Sequence, residues 1–423
     1  MQLKNIRLHQ LQGLFDIDIQ KGRIHAISPA GSLSTNNKEV INGKGQLALP
    51  PFIDPHVHLD TALTAGQPVW NRSGTLFEGI QNWSERKKSL TREDVRERVQ
   101  RTLEWYIVQG VQHVRSHVDI TDPSLTALQA LLEIREKMQG LIDIQLVAFP
   151  QEGIPSYPKG AELLEEALKL GADAVGGIPH FEYTREYGLQ SLETVFELAE
   201  KYDRLIDIHC DEIDDEQSRF VETVATMALE RTMGDRVTAS HTTAMHSYSN
   251  AYVFKLMRLL KKSGIHFIAN PVTNLNLQGR LDSYPKRRGI TRIPELLEVG
   301  INACFGQDDI VDQWFPMQGC NMLLVLFTGL VGCQMTGFDQ INQSIDLITH
   351  NSARCLGIQD QYGIEVGKPA NIILLDAETV FDAVRRQPIV THSIRKGQLI
   401  ATAKPTINHI IASNQPRKIS LTY

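Results

Sequence analysis

Eight short apolar runs recur along the chain, most of them ending in a residue that can do chemistry: FIDPHVH, VQHVRSH, IQLVAFPQ, AVGGIPH, LIDIHCDE, VTASH, FIANP and INACFGQDD. They end near His58, His117, Gln151, His180, Glu212, His241, Pro271 and Asp309. Most intervals are about 30 residues, the length of a strand, a helix and their loops. Eight such units predict a (β/α)8 TIM-type barrel, in which chemistry collects at the C-terminal ends of the strands. An open doubly wound sheet is the competing arrangement, but no Gly-rich nucleotide loop follows the first run.

The intervening segments read as helices. Thr91 and Asp94 have capping-box-like spacing with Gly110 as a stop, Pro123 can open a helix that Gly140 closes, and Leu192, Val195, Phe196 and Ala199 share one helical face. The ends of the chain differ in texture. Phe15, Ile17 and Ile19 alternate with Asp16, Asp18 and Gln20, the two-residue period of half-buried strands, and ANIILLD and HSIRKGQLIA repeat that character. The expected organisation is a small β-sandwich domain built from 1–50 plus 360–423, and a catalytic barrel over 51–359.

Charge narrows the partners. The 423 residues carry 43 Lys+Arg against 49 Asp+Glu, a net charge of −6, so no basic stripe is available for nucleic acid. The tight basic cluster Lys286-Arg287-Arg288 reads as a solvated loop or a subunit contact. The cysteines are Cys210, Cys304, Cys320, Cys333 and Cys355, an odd number without a Cys-x-x-Cys, as in a reducing cytoplasm. The first residues lack a signal-peptide core, and the apolar stretch Met322–Cys333 falls short of the roughly 20 residues that span a bilayer. A soluble cytoplasmic protein without membrane contact is expected.

The chemistry concentrates at the expected strand ends. His56 and His58 are two apart, so on a strand both imidazoles face the same side. His209 ends the fifth run, His241 the sixth, and Asp308 lies at the eighth. Three neutral nitrogens and one carboxylate, from His56, His58, His209 and Asp308, would hold one divalent ion such as Zn2+ or Fe2+ and leave room for water. The alternative makes Asp308 a helix cap and His209 a core histidine. Glu212, three residues after His209, is placed to carry protons; its acidic neighbours Asp211, Asp214, Asp215 and Glu216 read as a solvated loop. Gln151 offers an amide donor and acceptor, which suits the –NH–C(=O)– edge of a cyclic amide or pyrimidine.

These residues resemble the amidohydrolase superfamily and, within it, the bacterial cytosine deaminases. The likeness rests on PPFIDPHVHLD, HLDTALTAGQPVWNRSGTLFEGI, VAFPQEGI, IPHFEYTREYG, LIDIHCDEIDDEQSRF, ASHTTAMHSYSNAY and YPKRRGITR, and runs over nearly the whole chain. It implies one metal, Fe2+ or Zn2+, because the bridging Lys of two-metal members is replaced by Gly176-Gly177. It implies ligands His56, His58, His209 and Asp308, with Asp308 also able to accept a proton from water. Glu212 would relay a proton to ring N3, His241 would orient and polarise the attacking water, Gln151 would hold the N1–H/O2 edge, Asp309 would line the pocket and Trp314 would cover it. The implied reaction converts cytosine to uracil and ammonia, with a small nucleobase as partner and a homo-oligomeric enzyme. Gln307 stands where the family's pattern has His, which predicts tuning of substrate range. Deamination of isoguanine, 5-methylcytosine or a creatinine-like ring is the second reading, with Asp309 weighing against a C5 substituent; a non-catalytic binding module of the same fold is the third.

Overall fold

The structure is a computed structural model that describes residues 1–33, 39–317, 319–405, 407–412, 415–419 and 421. Of the terminal segments expected to build the β domain, residues 34–38, 406, 413–414, 420 and 422–423 lie outside the described residues.

Five strands open the chain: β1 (Gln2–Leu8), β2 (Phe15–Gln20), β3 (Arg23–Pro29), β4 (Val40–Asn42) and β5 (Leu47–Leu49). Eight more follow as β6 (Phe52–Val57), β7 (Val111–Asp119), β8 (Asp143–Phe149), β9 (Ala174–Gly177), β10 (Leu205–Cys210), β11 (Val237–His241), β12 (His266–Ala269) and β13 (Ala303–Phe305). These eight pair in parallel, each with its successor. The ring closes through Asp308, whose N–H donates to His56 O at 2.8 Å while its carbonyl accepts from His58 N at 3.0 Å. Every residue of β7 is buried, which is why such strands read as continuous runs: helices cover one face and the barrel interior the other.

The C-terminal strands β14 (Ile372–Leu375), β15 (Val390–Arg395) and β16 (Gln398–Thr402) join the first ones in one sheet, ordered β16-β15-β14-β5-β1-β2-β3 with β4 against β1. A separate hairpin follows, β17 (Asn408–Ala412) with β18 (Gln415–Ile419). The (β/α)8 barrel thus carries a β-sandwich assembled from both ends of the chain. Alternation divides β5 and β14 between two cores: Leu47, Leu49, Ile373 and Leu375 pack into the barrel's, and Ala48, Ile372 and Leu374 into that of the terminal strands.

Local predictions meet two corrections. Asp16 and Asp18 are buried rather than turned to water; Asp16 accepts the backbone N–H of Asn5 and of Gly31, both at 2.9 Å, and Asp18 accepts from the Gln20 amide at 2.7 Å. The helix expected from Pro123 begins at Thr126, because Asp122 closes a turn first and caps Thr126 N at 2.9 Å. It ends at Met138 with Gln139 as C-cap, so Gly140 follows the cap and closes it as expected. The basic cluster lies on a solvated loop as expected, Lys286 and Arg288 exposed and Arg287 half-buried; within it Lys286 Nζ meets Gly279 O at 2.8 Å, Arg287 pairs with Asp282, and Arg288 reaches Gly332 O at 3.2 Å. Thr91 caps Asp94 N of helix 92–108, and Leu192, Val195, Phe196 and Ala199 are all buried. All five cysteines are free. Among the described residues no helix is long and apolar enough to cross a membrane.

Candidate active site

The C-terminal rim of the barrel gathers the predicted residues in one place. His56 lies on β6 with His58 just beyond it, His209 lies on β10, His241 ends β11, and Asp308 follows β13. Asp211, His241 and Asp308 take positive φ values of 50°, 65° and 70°. Such backbone costs about 1–3 kcal/mol per residue and persists where the surroundings over-determine it. It turns the chain sharply at the strand ends, and Asp211 is held there by accepting Phe220 N at 3.0 Å and Val221 N at 2.8 Å.

Ligand atoms of His56, His209, His241 and Asp308 all lie within 4.8 Å of one another. His58 joins them, with Nε2 3.1 Å from His209 Nε2 and 3.5 Å from Asp308 Oδ1. Burial first, then the crowding of imidazoles, holds His56, His58 and His209 well below the ordinary histidine pKa, so they are neutral, as metal ligands must be. His241 behaves oppositely. Burial pulls its pKa down, but the carboxylates of Glu212 and Asp308 outweigh that and push it up to about 9. Glu212 Oε1 is 3.1 Å from His241 Nδ1. Burial raises the pKa of Asp308.

The tautomer of His56 follows from its neighbours. Burial alone would raise the pKa of Asp207, but His117, Arg115 and Ser240 outweigh it, and Asp207 stays ionised. Ser240 donates its only hydrogen to Asp207 Oδ1 at 2.6 Å, so its oxygen can only accept from His56 Nδ1, 3.0 Å away. A neutral His56 therefore presents a bare Nε2, which is buried without a hydrogen-bond partner and faces Asp308 Oδ1 at 3.4 Å. A lone pair buried against a carboxylate oxygen is unfavourable unless a cation lies between them. The residues fit a divalent ion, and the N/O donor set suits Zn2+ or Fe2+. Ligand atoms of His56, His117 and Asp207 also converge, but buried Arg115 donates to Asp207 Oδ2 at 2.8 Å and already supplies positive charge there.

One pocket opens beside this cluster, lined by His58, Phe149, Gln151, His180, His209, Glu212, Thr273, Asp308, Asp309 and Trp314, with Leu76, Ile80, Ile178 and Leu277 as apolar wall. Gln151, Glu212 and the segment carrying Asp309 and Trp314, far apart in sequence, are thus brought together. Asp309 accepts Thr273 Oγ1 at 2.8 Å; burial, then the nearby Asp312 and Asp308, drives its pKa well above the carboxylate range. Asp312 anchors the turn below Trp314 by accepting Trp314 N at 3.0 Å and Phe315 N at 3.1 Å. Gln307 points away from the cavity's lining and donates to Asp309 O at 3.1 Å. Of His117 and His180, which end the second and fourth runs, His180 lines the pocket. His117 instead packs against His56, ring centroids 4.0 Å apart and planes tilted by 31°.

Several contributors carry no sequence signal of their own. Asn274 brings its side-chain amide nitrogen to 3.1 Å from His241 Nδ1, and Asn270 reaches the same ring at 3.3 Å. The pair sits four residues apart at the start of helix 271–277, a spacing that points both toward one neighbour. Asp54 accepts the N–H of His56 at 3.2 Å and of Gln307 at 3.0 Å, tying β6 to the segment after β13.

This barrel and rim belong to the amidohydrolase family, whose profile matches residues 39–401. The crystal structure of 5-methylcytosine deaminase from Klebsiella pneumoniae, solved with 5-fluorocytosine, superimposes with a TM-score of 0.95 and is 53% identical, covering 98% of this chain and 100% of that one. N-isopropylammelide isopropyl amidohydrolase from Pseudomonas sp. (strain ADP) is 29% identical over 404 residues, 94% of this chain and 96% of its own length. Pterin deaminase from Rhizobium rhizogenes is 25% identical over 399 residues, 92% of this chain and 88% of its own length.

Proposed function

We propose that this protein is a hydrolytic deaminase of cytosine-type rings, converting cytosine to uracil and ammonia and accepting the 5-methyl congener. The observation that carries the reading is the single pocket in which Gln151, Glu212, Asp309 and Trp314 face a metal-competent imidazole and carboxylate cluster. The 53% identity to a 5-methylcytosine deaminase supports it.

His56, His58, His209 and Asp308 would hold one Fe2+ or Zn2+, which supplies Lewis acidity and a water of lowered pKa. Gln151 accepts N1–H and donates to O2, which fixes the ring in the plane of the pocket. Glu212 delivers a proton to N3 and makes C4 electrophilic, and its contact with His241 keeps it aimed. His241 lies between Glu212 and Asp308, where it orients the attacking water, and Asp308 accepts a proton from that water. Trp314 covers the ring and excludes bulk solvent. Water adds at C4, the proton held by Asp308 passes to the amino group as the C4–N bond breaks, the C4–OH proton returns to Glu212 as the carbonyl forms, and ammonia leaves.

The expectation that Asp309 weighs against a C5 substituent is set against two features: burial raises the pKa of this carboxyl, which Thr273 binds, and the apolar side chains of Leu76, Ile80 and Leu277 line the same cavity. Ammonia release from metal-replete protein tests the reading, comparing cytosine and 5-methylcytosine with isoguanine and creatinine. A kcat/KM at or above about 10⁴ M⁻¹s⁻¹ on either pyrimidine, ahead of both other rings, is expected. Faster turnover of isoguanine or creatinine would overturn the substrate class.

A further inference from the structure

Gln151 stands on a tight turn after β8, where Gly153 N donates to Pro150 O at 2.9 Å. The turn is held from two sides by residues that the pocket's lining does not include. On one side Glu182, buried at 7% exposure, accepts Ile154 N at 2.7 Å on Oε1 and Ser156 N at 3.1 Å on Oε2. On the other, Glu152 receives Lys87 Nζ at 2.7 Å, and the same ammonium meets Asp119 Oδ2 at 2.9 Å and Thr121 Oγ1 at 2.7 Å. Position 153 leaves no slack. Its φ is 92°, and a β-carbon there would fall 2.6 Å from Glu182 Oε2. A buried carboxylate that takes two backbone donors fixes a loop strongly, since losing it strands both N–H groups.

We infer that Glu182 is a positioning residue for substrate recognition: by clamping the 151–156 turn from the neighbouring βα loop, it sets the Gln151 amide against the amide edge of the ring. This rests on the reading that Gln151 contacts substrate. Glu182 itself touches no reacting atom, so the clamp governs binding and the proton-transfer machinery is untouched. Two backbone donors require two acceptors, and a carboxamide offers one, which predicts that even an isosteric change loosens the turn.

The test is a double-mutant cycle on metal-replete enzyme with Glu182→Gln, Gln151→Ala and the pair, scored with cytosine and 5-methylcytosine. Glu182→Gln is expected to raise KM about tenfold with kcat within about twofold and bound metal unchanged, and to add almost nothing in the Gln151→Ala background. Gly153→Ala attacks the same contact from the turn and is expected to reproduce the KM effect, which keeps the test open where Glu182→Gln fails to fold. A KM rise from Glu182→Gln that persists undiminished without Gln151, or an unchanged KM in both clamp variants, overturns the inference and leaves the proposed function standing. An unchanged KM in Gln151→Ala removes the substrate contact itself, and the clamp falls with it.

Discussion

The indole of Trp314 fills the space that a side chain at Gly79 would need: a β-carbon at that position would lie 2.5 Å from Cδ1 and 2.6 Å from Nε1. Helix 76–87 can therefore lie on the tryptophan only because residue 79 has no side chain, and Leu76 and Ile80 of that helix complete the pocket wall. Alanine there favours an isolated helix by up to about 1 kcal/mol, but overpacking costs about 1–3 kcal/mol, so the contact decides the sign. Gly79→Ala is expected to raise KM about fivefold or more and to shift tryptophan fluorescence, with bound metal unchanged. An unchanged KM would show that Trp314 does not cover the ring.

Removal of the ion is expected to abolish turnover and lower the melting temperature, with Fe2+ or Zn2+ restoring both. Ser240→Ala removes the acceptor that fixes the His56 tautomer and frees Nε2 to carry the proton. Outer hydrogen bonds of this kind are worth about 10–100-fold in metal affinity. Chelator competition on the variant reads that loss directly; retention equal to the parent would discount the Ser240–Asp207 contact.

Glu212 and the ligands separate cleanly by mutation. Glu212→Gln keeps the shape beside His241 but cannot carry a proton, so kcat is expected to fall at least about a hundredfold with one ion still bound. His209→Ala should instead lose the ion. Metal analysis alongside steady-state rates distinguishes the two, and a fully active Glu212→Gln would remove the residue from proton transfer.

The barrel was legible because parallel strands covered on both faces leave unbroken apolar runs, and because active rims place polar residues where such runs stop, as at His58 and His241. His56 and His58 were legible as a pair because a strand's period of two aims them together. Ser240, Glu182 and Asn274 were not. Each acts on a residue from another βα unit, and nothing in a single serine within VTASH or glutamate within HFEYT encodes a contact across the barrel rim. Asp16 and Asp18 misled for the same reason: Asp16 accepts from Asn5 and Gly31 and Asp18 from Gln2, all outside β2, so alternation alone read them as solvent-facing. For Asp309 a sequence gives the carboxyl's position but not the burial that raises its pKa, so the environment it offers a C5 substituent was not legible.

Acid stability tests a histidine far from the candidate site. His266, at the start of β12, has both ring nitrogens matched: Nε2 lies 3.2 Å from Asp235 O, which only accepts, and Nδ1 lies 3.2 Å from the Asn302 amide nitrogen, which only donates. A second proton would face a donor in a half-buried place. Burial dominates and lowers the pKa from 6.5 to about 4. The unfolded chain therefore binds a proton between pH 6.5 and about 4 that the folded ring refuses, so stability is full above that window, falls as pH drops through it, and levels off below. The loss between pH 7 and pH 5 is up to about 2 kcal/mol. Urea denaturation of the parent and of His266→Asn at the two pH values isolates this contribution, because every other titrating group is common to both. The variant is expected to be less stable at pH 7 and to lose less stability on acidification; parallel pH slopes would show that His266 titrates normally in the folded protein.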